Sequence, residues 1–110
     1  MSMIEQFQAM LDAGQDNAML RFSLGNALLG EGRAAEAVEH LRAAVGHDPK
    51  YSAAWKLLGK ALAESGDHRA AIEAFDQGIA VAEEKGDKQA AKEMQVFRRR
   101  AEKQMGGADG

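Results

Sequence analysis

The chain has 110 residues, 45% of them hydrophobic and 28% charged, with a formal net charge of −3 and no cysteine. That length fits one domain, the lack of cysteine excludes disulfides, zinc–thiolate sites and thiol nucleophiles, and no apolar run is long enough to span a bilayer. Aromatic residues make up only 5%, and the abundance of Ala, Leu, Glu, Lys and Arg favours helix over strand.

The opening stretch, MSMIEQFQAMLDAG, places Met3, Phe7, Met10 and Leu11 at helical spacing and predicts a helix over residues 2–13, ended near Gly14. Its acidic residues Glu5 and Asp12 and its lack of a basic start argue against a secretory leader and for a cytoplasmic setting. Asp16 or Asn17 can cap a second helix with the stripe Leu20, Leu24, Ala27, Leu28, broken by Gly30 and Gly32. A third helix carries Ala34, Ala37, Val38, Leu41, Ala44 and Val45, and stops before Pro49, which can start the next helix. The fourth holds Ala54, Trp55, Leu58, Ala61 and Leu62. The fifth, capped by Asp67, holds Ala71, Ile72, Phe75, Ile79 and Val81. A sixth, capped by Asp87, spans 87–104 with Ala90, Met94, Phe97 and Ala101, and residues 105–110 form a disordered tail. No stretch alternates with period two, so no strand is predicted.

The segments 18–51 and 52–85 align without a gap. Identities fall at Leu24/Leu58, Gly25/Gly59, Ala27/Ala61, Leu28/Leu62, Gly32/Gly66, Ala37/Ala71 and Glu39/Glu73. A repeated helix–turn–helix unit explains them. Gly25 and Gly59 allow a neighbouring helix to press close, Gly32 and Gly66 permit a tight turn, and Leu41 and Phe75 fill the space between paired helices. Trp55 is expected to be the largest buried side chain, with a truncation cost of about 3–5 kcal/mol.

A 34-residue period of paired helices resembles the tetratricopeptide repeat, whose signature is W-x2-L-G-x2-Y, then A-x3-F, then P. The second unit reads Trp55-x2-Leu58-Gly59-x2-Leu62 and Ala71-x3-Phe75. The first reads Arg21-x2-Leu24-Gly25-x2-Leu28 and Ala37-x3-Leu41, closed by Pro49. Leucine replaces the tyrosine in both, and Glu83 stands where the second proline belongs. The N-terminal helix, with Phe7 where Leu41 and Phe75 stand, reads as half of an earlier repeat. The sixth helix reads as a cap once one extra linker residue sets Ala90, Met94 and Phe97 against Trp55, Gly59 and Leu62. The resemblance implies an all-α, right-handed α-α superhelix of about six antiparallel helices in one domain over residues 1–104. It further implies a concave face, lined by the first helix of each pair, that holds a peptide or helix from a partner protein.

Carried over position by position, that face consists of Met19, Phe22, Asn26 and Leu29, then Ala53, Lys56, Lys60 and Ala63, then Lys88, Ala91, Gln95 and Arg98. One wall is apolar and two are basic, which points to an acidic segment as partner. The N-terminal helix either covers Phe22 and Leu29 or leaves them exposed. Some family members clamp a terminal carboxylate; Asn26 fits that pattern and Lys88 fits in the shifted register, but Phe22 and Leu57 depart from it.

Other classes fit less well. His40, His47 and His68 read as exposed surface residues, and no metalloprotease, phosphate-loop or serine-nucleophile motif is present, so no catalytic residue, metal site or cofactor is assigned. Residues 85–104 hold seven basic against three acidic side chains (+4), leaving −7 on the rest. The consecutive Arg98, Arg99 and Arg100 point about 100° apart on a helix, and the acidic body opposes a polyanion, so neither nucleic acid nor a membrane is the expected partner. The alternative reading is a self-assembling homo-oligomer built through exposed terminal helix faces, with Met3, Ile4 and Phe7 as its contact.

Overall fold

A computed structural model describes residues 2–106. Six helices follow one another: α1 (Met3–Asp12), α2 (Ala18–Gly30), α3 (Ala34–His47), α4 (Ser52–Glu64), α5 (His68–Glu84) and α6 (Lys88–Gly106), with no strand among the described residues. Met105 and Gly106 thus belong to α6 rather than to a disordered tail; the rest of that expected tail, 107–110, lies outside the described residues.

Short polar side chains start most of the helices. Ser2 Oγ accepts the Glu5 N–H at 3.1 Å and the Glu5 carboxylate accepts the Ser2 N–H at 3.0 Å, a capping box on α1. Asn17, not Asp16, caps α2 by accepting the Leu20 N–H at 2.8 Å. Asp67 and Asp87 do the same for Ala70 and Ala90 at 3.2 and 3.0 Å. The turns repeat one device. Gly32, Gly66 and Gly86 take φ of 77°, 92° and 76°. The next N–H then reaches back to the last turn: Arg33 to Leu28 O, Asp67 to Leu62 O, Asp87 to Ala82 O, at 2.8–2.9 Å.

Neighbouring helices pack pairwise, and α2 also approaches α4, and α4 approaches α6. By contrast α1, α3 and α5 do not approach one another. The even helices therefore form the inner, concave layer and the odd ones the splayed outer layer. Inside the pairs the glycines act as expected. A Cβ on Gly25 would lie 2.5 Å from Leu41 Cγ, and one on Gly59 would collide with the Phe75 ring. Gly78 has the same role at the next interface, where a Cβ would lie 2.5 Å from Met94 Sδ and 2.9 Å from Trp55 Cβ.

Phe75, Leu24, Leu41 and Met94 are the largest fully buried side chains. Trp55 is only half-buried, because its indole N–H turns outward to donate to Pro49 O at 2.8 Å. The register of α6 also differs from expectation. The residues before α2, α4 and α6 are Asn17, Tyr51 and Asp87, so the offset from α4 to α6 is two residues beyond the repeat, not one. The cause is α5, which has 17 residues against 14 in α3, with a connection one residue shorter. Met94 then stands in the place of Leu58, and Ala91, expected in the groove, is buried.

Candidate functional site

The inner layer begins on α2. Met19 is 72% exposed, Asn26 is exposed, and Phe22 and Leu29 are half-buried. Tyr51, the residue before α4, covers part of Phe22: its ring stacks on it with centroids 4.8 Å apart. Sequence reasoning missed Tyr51 because it stands between the helices, outside both stripes.

On α4 the two lysines differ. Lys56 Nζ donates to the Glu93 carboxylate of α6 at 2.9 Å. Lys60 Nζ has no carboxylate partner among the described residues and sits 5.2 Å from the centroid of the Phe97 ring, a cation–π contact. Arg100 approaches the same ring at 5.6 Å, also without a carboxylate. The basic wall is therefore partly neutralised at Lys56 and open at Lys60.

On α6 the two-residue offset moves the assigned positions. Gln89, Lys92, Val96 and Arg99, all exposed, occupy the places given to Lys88, Ala91, Gln95 and Arg98. Lys88 and Gln95 are exposed but lie off that line. Arg98 turns toward the outer layer, donating to Asp76 of α5 and pairing with Glu102 at 3.0 Å. Asp87 carried the signal for this register: aligning the caps rather than the apolar residues gives the offset observed.

Away from the groove, a polar cluster ties α2 to α3. The Arg21 guanidinium binds the Asp16 carboxylate at 2.8 and 2.9 Å and donates to His40 Nδ1 at 3.0 Å, while His47 Nε2 lies 3.0 Å from the same carboxylate. The Arg21 hydrogen bond, then that of His47, holds Asp16 well below the usual carboxylate range. His40 and His68 are half-buried rather than exposed surface residues, and only His47 is exposed. Burial, then the charge of Arg21, pushes the pKa of His40 down, and its Nδ1 accepts a hydrogen bond that only the arginine can donate, which fits a neutral ring. No group of three or more metal-ligating side chains gathers among the described residues, and no described helix is long and apolar enough to cross a membrane.

The sequence model of the tetratricopeptide repeat matches residues 28–94. The chain belongs to the tetratricopeptide repeat family. Its repeats build the all-α superhelix of that family, whose members are generally non-catalytic protein–protein interaction modules. It is similar to the TPR repeat-containing protein PA0015 of Pseudomonas aeruginosa, 54% identical over 101 residues that cover 92% of this chain and 96% of that protein. The solution structure of protein BPP2914 from Bordetella parapertussis is 43% identical, superposes with a TM-score of 0.80, and covers 96% of this chain and 92% of its own. The Sgt2 TPR domain of Aspergillus fumigatus, 30% identical, superposes with a TM-score of 0.78 over 96% of this chain and 70% of its own.

Proposed function

We propose that this chain is a non-catalytic adaptor that holds an acidic segment of a partner protein along the concave face of α2, α4 and α6. One observation carries the reading: the inner layer leaves Met19 72% exposed, and Asn26, Lys60 and Lys92 with no carboxylate or hydrogen-bond partner among the described residues. Some cations of the fold are paired, as at Arg21–Asp16, Arg33–Glu36 and Lys50–Glu84, while Arg42 and Arg69 on the outer helices are, like Lys60, without a carboxylate among the described residues. The apolar end supplies contact area through Met19, Phe22 with Tyr51, and Leu29. The basic end supplies attraction and salt dependence.

The test is capture from a lysate of the source cells by the wild-type chain and by Lys60→Glu, both checked for equal helicity. Lys60 is the informative position, because Lys56→Glu would set a second carboxylate against Glu93. A protein held by the wild type and lost by Lys60→Glu supports the reading. The same captured proteins in equal amount on both baits would overturn it.

A further inference from the structure

Between the C-terminal halves of α4 and α6, over the start of α5, the inner layer opens into a pocket of about 210 Å³. Its walls are Ala63, Phe75, Phe97 and Ala101, with Lys60 and Arg100 at the rim. The two aromatic rings pack at 5.9 Å, so Phe75 helps to fix Phe97, and both Lys60 and Arg100 approach the Phe97 ring. His68, the first residue of α5, lines the same pocket, and its Nδ1 is buried without a hydrogen-bond partner.

Two like charges on one ring repel, and neither is paired with a carboxylate among the described residues. Glu64 stands on the rim four residues after Lys60 but forms no ion pair, in keeping with the weaker order of a lysine preceding a glutamate at that spacing. Of the cations nearby, Lys56 is taken by Glu93 and Arg98 by Asp76, whereas Arg99 and Lys103 do not line this pocket. The apolar cavity and its two open cations therefore coincide at one place.

We infer that this pocket is the anchor point of the groove. It takes one large apolar side chain of the acidic partner segment, and Lys60 and Arg100 hold the carboxylates that flank that side chain. This rests on the adaptor reading and adds to it a position and a sequence preference: acidic, apolar, acidic. The apolar anchor removes ring and methyl surface from water, while the flanking carboxylates fix the register.

The experiment titrates isotope-labelled chain with the end-blocked peptide Glu-Glu-Phe-Glu-Glu and follows amide shifts by NMR. The expected shifts centre on Ala63, His68, Phe97 and Arg100, and affinity falls about tenfold or more when Ser replaces Phe in the peptide or in the variant Arg100→Glu. Arg100 is exposed, so that substitution leaves the core intact, and Lys60→Glu provides a second variant with the same expected loss. Equal binding of the Ser peptide would overturn the anchor and leave only surface attraction. Shifts centred on Met19 to Leu29 with the pocket amides unmoved would overturn the pocket while keeping the adaptor reading. No shift at millimolar peptide would also overturn the pocket, and the lysate capture would then judge the adaptor reading alone.

Discussion

Gly59 and Gly46 look alike in the sequence and should respond oppositely to alanine. A methyl at Gly59 must displace the fully buried Phe75 ring, so Gly59→Ala should destabilise by about 1–3 kcal/mol. Gly46 lies in α3 with nothing near its absent Cβ, so Gly46→Ala should stabilise by about 0.5–1 kcal/mol. Urea midpoints of the two variants check both signs. Gly25 and Gly59 were legible because they recur 34 residues apart. Gly78 was not, since its counterpart one repeat earlier is Ala44 and its reason, Met94, comes from the irregular last helix. The contrast between Lys56 and Lys60 was equally hidden, because Glu93 and Phe97 reach them from 37 residues away in sequence. Truncation of Phe75 to Ala should cost about 3–5 kcal/mol and exceed the loss at Trp55, which keeps one face in solvent. His40 gives a prediction in pH. Arg21, Glu36, Glu39 and Asp16 act on it, and burial with Arg21 outweighs the acids, lowering its pKa from the ordinary 6.5. The unfolded chain then binds more protons in the window below 6.5. The stability this site contributes is full above that value and is lost as pH falls toward the lower, folded pKa. An NMR titration of the imidazole should give a midpoint below 6.5; a midpoint at or above it would contradict the Arg21 contact.

Among the helices, α1 and α6 depart most from the repeat. α1 has ten residues and none of them is fully buried, so it depends on its capping box and on α2. A helix that short is marginal alone, and its amides should exchange with solvent faster than those of α4 and α5. α6 holds its place through Ala91, Met94 and Ala101, and its start depends on Asp87. Asp87→Ala should cost about 0.5–2 kcal/mol, with the faster hydrogen exchange concentrated in the first turn of α6. The existence and order of all six helices could be read from periodicity and caps, since each helix buries one stripe against its neighbours. The register of α6 could not be read from apolar residues alone. Ala90 and Ala91 are both small and apolar, and only the extra turn of α5 decides which of them faces the core.

The molecule is a short linear array, about 47 Å long and 18 Å thick, in which each helix rests on its sequence neighbours. Its two ends differ. At the last helix Gln95 occupies the place that Gly25 and Gly59 hold in the repeats, and Lys88, Lys92 and Arg99 are exposed around it, so a further helix cannot press close. The first helix exposes Met3 and Met10 by 62% and 40%, against 40% and 42% for Val96 and Met105 of α6. Self-association, where it occurs, should thus be limited to N-terminal ends meeting each other. The sedimentation mass should not climb past that of a dimer as concentration rises, and an open-ended series would contradict the capped end. The concave face is the one proposed to meet a partner. Photo-crosslinking in source cells tests it most directly, with the reactive side chain placed at Asn26 on the inner layer or at Glu73 on the outer one, both exposed. A partner adduct is expected from position 26 and none from position 73; an adduct from position 73 alone would rule out the concave face.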